Sequence, residues 1–100
     1  MKKILLIFTF IISSSALVDT KMDLGLEVYN NKAECGTCHT LKAAKSDGQI
    51  GPNLDLLNLQ MSQIISTVRN GIGVMPSWEG ILTYEEIEAV AYYIFNSTNK

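Results

Sequence analysis

The chain has 100 residues, with eight basic and ten acidic side chains and a formal net charge of −2. That length holds one domain, and the mildly acidic balance argues against nucleic acid and anionic membrane as partners, since both reward a basic patch. Two cysteines allow one internal disulfide at most, so the multi-disulfide framework that staples many small exported domains is excluded.

In chain order, the first element is an export signal. Lys2 and Lys3 precede the largely apolar run Ile4–Ile12, and the small residues Ser13–Ala16 follow. A short basic start, a short apolar stretch and small residues form the pattern of a secretory signal, with cleavage expected after Ala16. Extending the stretch to Val18 adds serines and still falls short of the ~20 apolar residues of a membrane span. A retained N-terminal anchor is the alternative. Cleavage leaves residues 17–100 as a single domain and removes Lys2 and Lys3, so six basic and ten acidic residues carry a net −4. A domain that small struggles to bury enough apolar surface alone, which makes a cofactor attractive on stability grounds.

Three helices are predicted after the signal. The first covers about residues 23–31, with Leu24, Val28 and Tyr29 on one face and Gly25 lowering the propensity. The second covers about 62–70, with Ser62 as N-cap, Asn70-Gly71 as the stop, and Ile64, Ile65 and Val68 as its apolar stripe. The third opens on a capping box, Thr83 with Glu86 three residues later. Glu85 and Glu86 suit the positive end of its dipole, and Ile87, Val90, Ala91 and Ile94 mark a buried face. No segment alternates convincingly as a strand, so the class is all-α. The loops around 45–53 and 70–80 are long for so small a domain and need something to pack on.

The stretch "ECGTCHT" at 34–40 holds both cysteines and the only histidine. Three readings of it stay open on spacing alone. A redox dithiol expects a strand–helix–strand setting, which this chain does not offer, and a simple disulfide is its blander form. A closed zinc site wants four Cys or His ligands, and only Cys35, Cys38 and His39 are available. Covalent haem matches C-x-x-C-H: each thiol adds across one porphyrin vinyl group, and the next residue, His39, can reach the iron.

Haem would need a further axial ligand, and no second histidine exists. Methionine thioether is the usual choice. Of four methionines, Met1 leaves with the signal, Met22 is close in sequence to the haem motif, and Met61 begins the second helix. Met75 sits in the loop "GVMPSW", where the following proline stiffens an extended conformation. We prefer Met75 to Met61. A metal-bound histidine usually donates its other N–H to a carbonyl, and the rigid Gly51-Pro52-Asn53 turn supplies a candidate in the Pro52 carbonyl.

"CGTCH", "GPNL" at 51–54, "MPSW" at 75–78 and "LTYEEIEAVAYYI" at 82–94 occur in this order in class I cytochromes c, and the chain resembles a small bacterial monohaem member over about residues 22–97. More weakly, "IGPNLD" and "GVMPSWEGILT" are similar to the cytochrome subunits and acceptors of bacterial sulfite dehydrogenases. The resemblance implies a compact fold of three to four short helices wrapped around one haem c. It implies thioether links at Cys35 and Cys38, axial His39 and Met75, the Pro52 carbonyl accepting from His39, and Trp78 near the haem edge. It also implies a close crossing of the first and last helices at Gly25, against Tyr93. Tyr29 precedes Cys35 by six residues, more than in many members, which implies a longer turn into the haem motif.

The resemblance further implies a periplasmic one-electron carrier, not an enzyme, working between a dehydrogenase or other donor and a terminal acceptor. Leu54, Leu57, Leu59, Ile65, Val68, Ile72 and Val74 are the expected pocket. Redox partner proteins would dock at the haem edge, and the acidic balance favours a partner with a basic patch. The alternatives are a haem enzyme or gas sensor with an open iron position, and a haem subunit permanently bound to a dehydrogenase.

Overall fold

The computed structural model describes residues 14–99, with side chains from Thr20 onward. The expected export signal lies outside the described residues except for Ser14–Ala16, which begin the first helix. Three helices form the frame: α1 (Ser14–Glu27), α2 (Met61–Asn70) and α3 (Tyr84–Thr98). Between α1 and α2 lie single helical turns and one small hairpin, β1 (Thr40–Leu41) with β2 (Ser46–Asp47). Strands of two residues are too short to leave a visible alternation in the sequence. Among the described residues no helix is long and apolar enough to cross a membrane.

α3 forms where its capping box predicts. The Glu86 amide donates to Thr83 Oγ1 at 3.1 Å, and the Thr83 amide donates to Glu86 Oε1 at 2.9 Å. Two donors that a helix start leaves unpaired are thereby satisfied. Ile87, Val90, Ala91 and Ile94 are buried, together with Ala89 and Tyr93. α2 starts one residue before the expected position. Its N-cap is Gln60 rather than Ser62, because the Gln63 side chain reaches back to accept from the Gln60 amide at 2.8 Å. It stops at Gly71, which takes a positive φ of 71°.

α1 starts earlier than expected, since nothing between Ser14 and Leu24 breaks a helix. It then widens into a π-type turn over Val28–Lys32, closed by the Ala33 amide on the Val28 carbonyl at 2.8 Å. This wide turn takes up the added length between Tyr29 and Cys35 while keeping Val28 and Tyr29 fully buried.

α1 and α3 cross at Gly25. A Cβ there would lie 2.3 Å from the Ala89 carbonyl oxygen and 2.5 Å from Tyr93 Cβ, so only glycine permits the approach. One turn on, the Tyr29 and Tyr93 rings meet with centroids 6.0 Å apart, a favourable tilted contact. Ion pairs Lys21–Glu88 and Lys32–Glu86 tie the same two elements at their surface. The remaining core, Leu41, Leu54, Ile64, Val68 and Leu82, joins the hairpin and α2 to this crossing.

Two predictions follow from the crossing. Gly25→Ala is expected to destabilise by about 1–3 kcal/mol or more, as overpacking against backbone does, read by denaturant unfolding. Burial pushes the Tyr29 hydroxyl from its usual value of 10.0 up to about 12. The folded state therefore favours the protonated phenol, and that stability is intact below pH 10 and lost as pH rises through 12. Tyr29→Phe is expected to flatten this alkaline limb, and to lower neutral-pH stability by about 1 kcal/mol through its lost hydrogen bond.

Candidate haem site

The site begins with a tight turn. Glu34 sits in the left-handed region at φ 48°, ψ 46°, and it redirects the chain out of the wide turn. Cys35–Thr37 then form a single helical turn, in which the Cys38 and His39 amides both donate to the Cys35 carbonyl at 3.2 and 3.0 Å. These bonds hold Cys35, Cys38 and His39 together.

The chain next makes the hairpin and returns over this turn. The Gly48 amide donates to the His39 carbonyl at 3.2 Å, and the Gly51 amide donates to the Cys38 carbonyl at 2.7 Å. His39 Nδ1 lies 2.7 Å from the Pro52 carbonyl oxygen. A carbonyl only accepts, so Nδ1 carries the proton and Nε2 keeps its lone pair for a metal. Gly51 lies flat against the imidazole; a Cβ there would come within 2.5 Å of His39 Cε1. Past it, Asn53 Oδ1 accepts from the Asp55 amide at 2.9 Å and Asp55 Oδ2 accepts from the Lys42 amide at 2.9 Å. The turn carrying Leu54 is thus fastened back to the hairpin.

The loop after α2 supplies the other wall. Ile72 and Met75 exchange backbone hydrogen bonds of 3.0 and 3.1 Å across a tight turn whose Gly73 has φ 58°. The loop hangs from the end of α2: the Trp78 amide donates to the Val68 carbonyl at 3.0 Å, and Ser77 Oγ donates to the Arg69 carbonyl at 2.6 Å. The Glu79 amide adds a third bond, to the Arg69 carbonyl at 3.3 Å.

These segments enclose an apolar cavity of about 400 Å3. Cys35, Cys38, His39, Pro52, Met75 and Trp78 all line it, so one space brings together the six candidate cofactor-binding residues. Met61 does not line it and packs on the core instead. Of the expected pocket side chains, Leu54, Leu57, Leu59, Val68, Ile72 and Val74 line the cavity. Ile65 does not; Ile64 takes its place. The helical spacing of Ile64 with Val68, four residues on, carries that signal. Glu34 and Thr67 also line the cavity without having been singled out, and among the described residues Glu34 is its one charged lining side chain.

The chemistry narrows the three readings. Burial pushes the Cys35 thiol up to about 11, so it is protonated at neutral pH, whereas a catalytic redox thiol is held low. Among the described residues no three Cys, His, Asp or Glu side chains converge as a metal cluster. What the cavity offers is a deep apolar slot with two thiols, one imidazole nitrogen and one thioether. That set fits an iron porphyrin, which needs apolar walls and soft axial donors.

Such a slot defines a haem protein of the c type. Comparison with known proteins agrees. Residues 20–94 match the family described as "Cytochrome C oxidase, cbb3-type, subunit III", and the chain belongs to this family of small class I c-type cytochromes. Cytochrome c6 of Nostoc sp. is 31 % identical over 93 % of this chain and 85 % of its own length. Cytochrome c6 of Tetradesmus obliquus is 31 % identical over 77 % of this chain and 93 % of its own. The crystal structure of the c-type cytochrome SorU from Sinorhizobium meliloti superposes with a TM-score of 0.76 at 44 % identity, covering 82 % of this chain and 95 % of that one. The fold is the all-α cytochrome c fold, the family's cofactor is haem c, and the function is electron transfer.

Gly51→Ala is expected to push the imidazole off the Pro52 carbonyl. The readouts are a stability loss of about 1–3 kcal/mol, typical of overpacking, and loss of a slowly exchanging His39 Nδ1–H signal.

Proposed function

We propose that this cytochrome is an exported, periplasmic one-electron carrier with a six-coordinate His/Met haem. Cys35 and Cys38 would hold the haem by thioether bonds, with His39 and Met75 as the axial ligands. The observation that carries this reading is that His39 and Met75 line the same apolar cavity while His39 Nδ1 is engaged by Pro52. The bound haem supplies the Fe(II)/Fe(III) couple. The chain's own residues set the conditions for it. Pro52 fixes the imidazole tautomer and raises its basicity. Met75 would supply the thioether that completes the iron's ligand set, which would leave no position for substrate chemistry. Leu54, Val68 and Ile94 exclude water, which together with the thioether tunes the potential. Trp78 would cover part of the porphyrin from the loop.

The donor and acceptor would dock briefly at the cavity's edge through a small interface. Ile50, Ile72 and Val74, which are 70, 71 and 88 % exposed, line the cavity and reach solvent there. The acidic surplus elsewhere on the chain would steer a basic partner from a distance. Export is supported by the Lys2–Ala16 pattern, with residues 17–100 as the mature domain.

Three measurements test the proposal. In a host with haem-maturation machinery, the protein is expected to keep its haem stain through denaturing electrophoresis, and an unstained band overturns covalent attachment. Met75→Ala is expected to bind carbon monoxide rapidly, while wild type and Met61→Ala do not. A wild type that binds as fast as Met75→Ala overturns the six-coordinate reading. N-terminal sequencing of the periplasmic form is expected to begin at Leu17.

A further inference from the structure

The segment that returns over the haem motif carries the bond that orients His39, yet it is made of short turns and one hairpin of two-residue strands. Something must hold it down. The answer lies on the face of the hairpin away from the cavity. Ser46, on β2, is the hub: its Oγ lies 2.8 Å from Tyr29 OH, accepts from the Leu41 amide at 3.1 Å, and lies 3.5 Å from the Leu41 carbonyl oxygen. A serine hydroxyl has one proton and two lone pairs. Both hydroxyls can donate or accept, so the Tyr29–Ser46 bond forms with either as donor while the Leu41 amide takes one lone pair of Ser46.

Tyr29 is fully buried and rests against Tyr93 at the α1–α3 crossing, so its hydroxyl has no bulk water to turn to. The same serine packs against the haem motif: a Cβ on Gly36 would lie 2.7 Å from Ser46 Cβ. The hairpin is thus gripped between the helix crossing and the Cys35–Thr37 turn. Two residues after Ser46 the chain begins the three bonds that secure the motif, Gly48 to His39, Gly51 to Cys38, and His39 to Pro52.

We propose that Tyr29 and Ser46 are positioning residues for His39: their buried hydrogen bond anchors the hairpin to the helix crossing, and through the 48–52 return it holds the Pro52 carbonyl on the imidazole. The consequence for the potential rests on His39 being an axial ligand. The anchoring itself does not. A loosened Pro52 contact makes His39 a less basic donor, which favours Fe(II).

The test uses the haem-loaded full chain with Ser46→Ala, Ser46→Thr and Tyr29→Phe. Amide exchange of Gly48 and Gly51 is expected to be about tenfold faster in Ser46→Ala and Tyr29→Phe, the scale of one lost buried hydrogen bond. Exchange of the Ala91 amide in α3 is expected to speed up less than that of Gly48 and Gly51, by no more than the global loss of stability, and Ser46→Thr, which keeps the hydroxyl, is expected to restore protection. The midpoint potential is expected to shift upward in the two unprotected variants and return in Ser46→Thr. Unchanged exchange at Gly48 and Gly51, or an equal loss at Ala91, overturns the anchor. Faster exchange at Gly48 and Gly51 with no shift in potential upholds the anchor and overturns its action on His39. Tyr29→Phe keeps the ring on Tyr93, so it remains informative if Ser46→Ala does not fold. A wild type whose iron spectrum lacks a histidine ligand overturns the ligation reading while leaving the exchange experiment valid.

Discussion

The structure depends on one close approach, the crossing of α1 and α3 at Gly25. Removing the side chain there brings two helix backbones together and seals Tyr29 and Tyr93 behind them. Everything else is attached to that joint. α3 contributes Ile94 to the cavity, α1 hands the chain to the haem motif through the wide turn, and Tyr29 reaches the hairpin. A chain of this size has little core to spend on loops. It therefore arranges helices on one side and leaves an apolar slot on the other, where long loops gain a surface to pack on once a cofactor is held.

The elements most legible in the sequence are those whose signals are local. Thr83 with Glu86 named the start of α3, and the spacing of Ile87, Val90, Ala91 and Ile94 named its buried face. The cavity residues were legible for a different reason. Cysteine, histidine and a proline-flanked methionine have few ordinary reasons to recur at such spacing, so chemistry singles them out and the fold gathers them in one space.

What sequence reasoning missed is non-local or made by unusual cap chemistry. Gln60 is a weak N-cap by preference, and it works because Gln63 folds back onto its amide. The choice of Ile65 over Ile64 for the pocket followed a stripe containing both, and the four-residue spacing of Ile64 with Val68 is the signal that separates them. The hairpin left no period to read, since its strands are two residues long, and its contact with Tyr29 joins Ser46 across 17 positions. Glu34 in the left-handed region has no compositional signal at all, because a glutamate gives no hint of that backbone.

The loop that carries Met75 is suspended from the Val68 and Arg69 carbonyls. Those carbonyls are free only because α2 ends where it does; within a longer helix they would be consumed by the next turn. The length of α2 and the reach of the thioether are therefore one variable rather than two. Insertions that extend α2 would carry the sulfur away from the slot even with every residue of the loop intact, so relatives that alter this helix must rebuild the loop along with it.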